Sequence, residues 1–125
     1  MNPTFLSWIL YYSALYGVDP LISQAIVQVE SNGNPDMIGE LGEVGLMQIM
    51  ETSSKYSKKD LLNPKINIKE GIHILKLMKN GCKHQIDFQW VICYNKGIRG
   101  GGLIKYPDKD SYYSKVKKQY ERSLR

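Results

Sequence analysis

The chain has 125 residues, of which 42% are hydrophobic and 23% are charged. This length and composition fit one globular domain over residues 1–125, and they exclude a disordered chain and a coiled coil. The 17 basic residues outnumber the 12 acidic ones and give a net charge of +5. This excess favours an anionic partner without distinguishing nucleic acid, membrane and cell wall.

Two helices are predicted in the first part of the chain. Apolar residues within 5–16 recur at spacings of three and four, which is one face of an amphipathic helix. Asp19 followed by Pro20 supplies an N-cap and a first helical residue for a second helix. That helix is expected to stop near Gly33.

The middle of the chain predicts a loop and then shorter helices. Residues 32–44 are rich in Gly, Asn, Asp and Glu and predict the loop, after which the apolar residues from Leu46 to Met50 predict a short helix. A further helix is predicted to begin with Asn67 as its cap and to end near Gly81.

The last part of the chain predicts two more helices, separated by a glycine-rich segment. Asp87 is expected to cap the first of them, and Asp110 or Ser111 to begin the second. Residues 97–102 interrupt the helical pattern and are expected to form a flexible wall of a cleft. No segment alternates as a strand does, so the predicted fold class is all-α, with short connections.

The two cysteines show no recognisable motif. Cys82 and Cys93 form neither a C-x-x-C pair nor a metal-type cluster with His73 or His84. They are therefore predicted to be free thiols or helix packing residues, and no metal site is expected.

The apolar segment at residues 5–10 is expected to belong to the fold. It lacks the preceding basic residue and the following small-residue cleavage site of an export signal. No run of residues approaches the roughly 18 to 20 apolar residues that span a bilayer. We therefore expect neither a signal peptide nor stable membrane insertion.

Glu30 occupies an unusual position for a carboxylate. Ile22, Ile26 and Glu30 are spaced four apart, which places Glu30 on the apolar stripe of the second helix and in its last turn. Burial and the negative end of the helix dipole would both raise its pKa, so the carboxyl could donate a proton near neutral pH. On spacing alone, a glutamate turned toward solvent remains the alternative.

Five short motifs follow one another along the chain. They are ESNGNP at 30–35, GEVGLMQIM at 42–50, LLNP with Asn67, Ile68 and Gly71 at 61–71, CYN at 93–95, and Tyr112 four residues before Val116. These motifs resemble those of soluble lytic transglycosylases, the family 23 glycoside hydrolases that also include goose-type lysozymes. Their order and spacing agree with that family, and the resemblance runs from about residue 5 to about residue 120.

The resemblance implies a small lysozyme-like fold with an active-site cleft and peptidoglycan glycan strands as the substrate. It implies that Glu30 is the catalytic acid and base for cleavage of the β-1,4 bond between N-acetylmuramic acid and N-acetylglucosamine. No cofactor is expected. The residues that the resemblance places around Glu30 in positioning or substrate binding are Ser31, Met47, Gln48, Tyr94, Asn95 and Tyr112.

The favoured reaction is that of a lytic transglycosylase, in which Glu30 gives up a proton and then takes one from the muramyl 6-hydroxyl, leaving 1,6-anhydromuramyl ends. A hydrolytic lysozyme would need a second carboxylate to activate water. Glu40 and Glu43 fall in a loop where the family usually carries small or neutral residues, so either could be that group. A non-catalytic glycan-binding protein on the same fold is a third alternative.

Enzymes of this family act outside the cytoplasm, whereas no export signal is visible in this sequence. We therefore expect a bacteriophage lysis or virion-associated enzyme, or one delivered by a secretion machine, that acts on peptidoglycan in the periplasm or cell wall. The protein is expected to be a monomer. The hypothesis of a basic nucleic-acid-binding protein is supported only by the positive charge, and no nucleic-acid partner is expected.

Overall fold

The computed structural model describes all residues, 1–125, and contains six α-helices and no strand beyond isolated bridges. The predicted all-α fold class is therefore confirmed. Short 3₁₀ helices cover Glu51–Ser53 and Pro107–Lys109. The α-helices are α1 (Pro3–Tyr16), α2 (Pro20–Ser31), α3 (Lys58–Leu61), α4 (Pro64–Gly81), α5 (Val91–Gly102) and α6 (Ser111–Ser123).

Three of the longer helices begin in the same way. Asn2, Asp19 and Asn63 accept hydrogen bonds from backbone N–H groups in the first turns of α1, α2 and α4, and each is followed by a proline. At the other end, α1 and α2 stop at residues in the left-handed conformation, Gly17 (φ 70°) and Asn32 (φ 52°). Local capping therefore sets the ends of the first two helices close to where the sequence predicts them.

One hydrophobic core joins the helices. α1 packs against α4 and α2, α6 packs against α2, and α5 lies between α4 and α6. Fully buried side chains from these helices meet in this core, among them Ile9, Ile26, Ile72, Ile92 and Val116. The helices thus form a scaffold around the loop that connects α2 to α3.

The prediction of a short helix at residues 46–50 is wrong. The segment forms turns in which Val44 makes isolated bridges with Ile38 and Ile49, and Gln48 has a φ of 51°. Its apolar side chains are buried because the loop folds into the core, and not because they share one face of a helix.

Two predicted caps are also wrong. α4 begins four residues earlier than expected, with Asn63 as its cap, so Asn67 lies within the helix and is fully buried. α5 begins at Val91, and Asp87 instead occupies the preceding turn with a φ of 49°. Both sites carry a residue type that caps helices well, but a proline after Asn63 and a turn after Asp87 decide the boundaries.

The glycine-rich segment at 97–102 interrupts the helix as predicted, but only at its first residue. Gly97 has φ 80° and ψ 160°, which breaks the helical path, whereas residues 98–102 are helical again. α5 therefore consists of two pieces joined by a kink, and the kink faces the cleft described below.

Cys82 and Cys93 form a disulfide, with their Cα atoms 6.0 Å apart, so the prediction of free thiols or packing residues is wrong. The chain reverses direction between α4 and α5, and this reversal brings together two cysteines that are 11 residues apart. The bond ties the end of α4 to the first turn of α5.

No helix is both long and apolar enough to cross a bilayer.

Candidate active site

A cleft of about 310 Å³ lies between the end of α2, the following loop, and the facing sides of α4 and α5. Its wall has a polar and an apolar part. The polar side chains are Glu30, Glu43, Gln48, Ser53, Tyr94 and Asn95, and the apolar ones include Ile49, Met50, Ile74 and Met78. The predicted catalytic residue thus lies on a cavity that is lined by both kinds of group.

The Glu30 carboxyl has the properties of a proton donor. Burial raises its pKa from the ordinary 4.5 to about 7; a hydrogen bond from Tyr112 opposes this rise, and the negative charge of Glu43 adds to it. The Tyr112 hydroxyl donates to Oε2 at 2.7 Å. No protein group bonds Oε1, which leaves that oxygen for a bound molecule.

Tyr112 is itself held firmly at the start of α6. Asp110 caps this helix by accepting from the backbone N–H of Tyr113, and its other oxygen lies 3.1 Å from the Lys96 ammonium. Lys96 also lies 5.9 Å above the Tyr112 ring. Burial raises the pKa of the Tyr112 hydroxyl well above its usual value, so this group acts as a neutral hydrogen-bond donor to Glu30.

Tyr94 fixes the opposite side of the cleft. Its hydroxyl donates to the Met47 carbonyl at 2.6 Å, which ties α5 to the loop between α2 and α3. Burial raises the pKa of this hydroxyl well above its usual value, so it remains a donor. The neighbouring Asn95 is exposed, and its Oδ1 accepts from Lys96 at 2.8 Å.

Asn67 anchors the same loop from inside α4. Its Oδ1 accepts from the Met47 N–H, and its Nδ2 donates to the carbonyls of Val44 and Leu61, each at 2.8 Å. This anchoring role differs from the predicted role of Asn67 as a helix cap. A polar residue immediately before Ile68, beside the apolar stripe of a helix, is the signal that could have revealed it.

Two close approaches require glycine. A Cβ at Gly71 would lie 2.7 Å from the Cβ of Met47, so the loop rests directly on the α4 backbone. A Cβ at Gly39 would lie 2.6 Å from Gln48 Oε1 and 2.8 Å from Glu43 Oε1. The absence of a side chain at Gly39 therefore lets these two polar groups pack together.

Gln48 and Glu43 are both fixed by the loop backbone. The Gln48 amide donates to the carbonyls of Met37 and Gly45, at 3.1 and 2.9 Å. Glu43 accepts from the Leu41 N–H at 2.7 Å. Both side chains are thus oriented at the cleft before any ligand binds.

Four of the predicted site residues do not line the cleft. Ser31 is buried, and its hydroxyl donates to the Val27 carbonyl at the end of α2. Met47 is fully buried beneath the loop, and Glu40 is exposed away from the cavity. Tyr112 is absent from the cavity wall but reaches it through its bond to Glu30.

Comparison with known proteins finds one family and a set of relatives. The family model for the transglycosylase SLT domain matches residues 7–115. The endo-type membrane-bound lytic murein transglycosylase A of Klebsiella pneumoniae strain 342 is 36% identical over 80 residues, which cover 54% of this chain and 39% of that protein. The protein of the same name from Salmonella enteritidis is 32% identical with the same coverage. The chain thus matches about two-fifths of the length of these relatives.

Proposed function

The chain belongs to the transglycosylase SLT domain family, and from this premise we propose that it cleaves the β-1,4 bond between N-acetylmuramic acid and N-acetylglucosamine in bacterial peptidoglycan, leaving 1,6-anhydromuramyl ends. The observation that carries the proposal is the Glu30 carboxyl, which lines the cleft and has a pKa of about 7. Near neutral pH such a group both donates and accepts a proton.

In the first step, protonated Glu30 gives its proton to the glycosidic oxygen as the bond from that oxygen to the muramyl C1 breaks. The C1 side then carries oxocarbenium character, which the substrate's own acetamido oxygen stabilises. Because Tyr112 occupies Oε2, the free Oε1 is the atom that faces the leaving oxygen. The Tyr112 hydrogen bond also stabilises the carboxylate that this step creates.

In the second step, the Glu30 carboxylate removes the proton of the muramyl 6-hydroxyl while that oxygen bonds to C1. The carboxyl is thereby restored and no water is consumed. Glu30 alone supplies both proton transfers, so the reaction requires neither a metal nor an organic cofactor.

The other polar groups of the cleft would bind the sugars. Gln48 and Asn95 present amides, and Ile74 and Met78 offer an apolar surface to the pyranose rings. Tyr94 acts through its bond to the Met47 carbonyl, which holds the loop in place. Ser31 and Met47, which are buried, support the end of α2 and the loop from beneath.

A hydrolytic lysozyme is the second candidate, and the position of Glu43 is the observation that favours it. Glu43 lines the same cleft, and its charge interacts with Glu30. In a hydrolase, Glu43 would orient and deprotonate a water molecule. Glu40 is a weaker choice for this role, since it is exposed and outside the cavity.

The proposed place of action is the bacterial cell wall. The Cys82–Cys93 disulfide supports this proposal, because disulfides persist in the periplasm and outside the cell but seldom in the cytosol. Delivery by a bacteriophage or a secretion machine stays a prediction, as do the monomeric state and the lack of a nucleic-acid partner.

The test is to digest purified peptidoglycan and to identify the fragment ends by mass spectrometry. Wild type should yield anhydromuramyl ends, Glu30→Gln should yield no fragments, and Glu43→Gln should still yield anhydro ends. Reducing ends, heavier by one water and lost in Glu43→Gln, would establish the hydrolase. Glu40→Gln is the matched control. Binding of peptidoglycan by wild type without any fragments would establish the non-catalytic alternative.

A further inference from the structure

One face of α1 is exposed and uncharged. None of the 14 residues of this helix is charged. Leu10, Tyr11 and Leu15 are 51%, 63% and 59% exposed, and Ala14 between them is also exposed. Single exposed apolar residues are ordinary, but neighbouring ones on one helix face indicate a surface that meets a partner.

A groove borders this face and contains aromatic side chains and one cation. It has a volume of about 310 Å³ and is lined by Ser7, Trp8, Tyr11, Tyr12 and Lys65. It shares no lining residue with the catalytic cleft. Tyrosine and tryptophan side chains combine an apolar ring with a polar tip, which suits the boundary between water and an apolar phase.

The rim beside α1 is basic. α4 packs against α1 and carries four lysines and one acidic residue. Lys65 lines the groove, and Lys79 donates to the Gly17 carbonyl at the end of α1. The one acidic residue, Glu70, is buried and accepts from Ser54. The exposed charge on α4 is therefore positive.

We propose that the α1 surface, defined as Leu10, Tyr11, Ala14 and Leu15 with the adjoining Trp8 and Lys65, docks on the face of an anionic lipid bilayer. The leucines would enter the boundary between headgroups and acyl chains, the aromatic rings would lie at headgroup level, and the lysines would reach the lipid phosphates.

α1 is too short to cross a bilayer, so it would contact one only through its exposed face. At a rise of about 1.5 Å per residue, its 14 residues extend about 21 Å, which is less than the roughly 30 Å of a hydrocarbon core. Docking through this surface leaves the cleft free. The proposal is independent of the reaction proposed above.

The experiment measures binding of the full chain to lipid vesicles by cosedimentation and tryptophan fluorescence. The vesicles consist of phosphatidylcholine alone or with phosphatidylglycerol. Trp90 is 3% exposed, so a blue shift of the emission reports on the half-buried Trp8. We expect binding and a blue shift with the anionic vesicles, weakened by salt, and little binding to the neutral ones.

Substitutions separate the apolar from the basic contribution. The double variant Leu10→Gln with Leu15→Gln removes two exposed side chains, so it should fold, and it should weaken vesicle binding roughly tenfold or more. Lys65→Gln should reduce the preference for anionic vesicles. Ile86→Gln and Leu103→Gln are the matched controls, since these side chains are 70% and 77% exposed outside the α1 surface.

Several results would overturn the proposal. The first is that wild type does not bind anionic vesicles, and the second is that the leucine double variant binds them as well as wild type does. The third is that the double variant still binds vesicles but loses self-association or peptidoglycan binding, which would assign the α1 surface to one of those partners. Glu30→Gln should bind vesicles as wild type does. Vesicle binding by this inactive variant keeps the test separate from the test of the proposed reaction.

Discussion

The hydroxyl of Tyr112 donates a 2.7 Å hydrogen bond to the carboxyl of Glu30, which lies 82 residues earlier in the chain. The bond joins the start of α6 to the end of α2. It favours the ionised carboxylate, whereas burial favours the protonated form, and the balance between the two sets a pKa of about 7. The proton-transfer properties of Glu30 therefore depend on the packing of the last helix.

Tyr112→Phe should weaken catalysis and change its pH dependence. Without the hydrogen bond the pKa of Glu30 rises further, so the loss of activity at alkaline pH should begin at a higher pH than in wild type. The rate should fall roughly ten- to a hundredfold, because a hydrogen bond to a charged group contributes about 1.5–3 kcal/mol. Peptidoglycan digestion measured across pH checks both effects.

Tyr113→Phe is the control for this substitution. Tyr113 is the next residue of α6 and is also buried, but it packs against Phe88 instead of bonding Glu30. Its pH profile should match that of wild type. Equal shifts in the two variants would show that the effect comes from the packing of α6 and not from the hydrogen bond.

Glu30→Gln should abolish cleavage and stabilise the protein at alkaline pH. The pKa of Glu30 is raised in the folded state, so its contribution to stability is complete below pH 4.5 and is lost as the pH rises through about 7. Ionisation of the buried carboxyl costs up to about 3 kcal/mol of stability. Glutamine does not ionise, so the variant keeps this stability at high pH. Urea unfolding should therefore give a larger free energy of unfolding for the variant at pH 8.5 and equal values at pH 4. An equal difference at both pH values would contradict the raised pKa.

Glu43→Gln should lower the pKa of Glu30, because the negative charge of Glu43 disfavours ionisation of its neighbour. The alkaline limb of the pH profile should then move to lower pH. Glu40→Gln removes the same charge from an exposed residue outside the cavity and should leave the profile in place. A profile unchanged by both substitutions would mean that the two carboxyls of the cleft do not interact.

Local patterns predicted the first two helices well. The apolar spacing of α1 and the Asp19-Pro20 start of α2 are properties of neighbouring residues, and the structure follows them. The position of Glu30 on the apolar stripe likewise indicated burial and a raised pKa. The helix starts and the stripe position of Glu30 could be read from the sequence because each depends on one helix and its caps, whereas the value of the Glu30 pKa also depends on Tyr112 and Glu43.

The remaining features depend on contacts between distant segments. The loop at 46–50 carries apolar residues because it folds onto α4, where Asn67 and Gly71 receive it. The Cys82–Cys93 bond depends on the chain reversal between two helices. Spacing alone describes neither relationship, because both require knowing which segments pack together.

Removing the disulfide should destabilise the protein. Cys82→Ser with Cys93→Ser opens a covalent loop between residues 11 apart, and a loop of this size is worth about 3 kcal/mol through the entropy of the unfolded chain. Activity should fall as well, since Cys93 and Tyr94 line the cleft. Urea unfolding with and without reductant checks the first effect. Reductant should lower the free energy of unfolding of wild type and leave that of the double variant unchanged. A decrease in the double variant would show that reductant destabilises the protein by a route other than this disulfide.

Asn67→Ala should destabilise the protein and disorganise the cleft together. The substitution leaves the N–H of Met47 and the carbonyl of Leu61 without a partner, at a cost of at least about 2 kcal/mol, and the Val44 carbonyl keeps only its bond from the Ile49 N–H. Because that loop also positions Gln48, cleavage should fall even at temperatures where the variant stays folded. Asn80→Ala, on the exposed side of the same helix, should change neither property. Urea unfolding and peptidoglycan digestion of both variants provide the test, and full activity in a folded Asn67→Ala would show that the loop keeps its shape without this anchor.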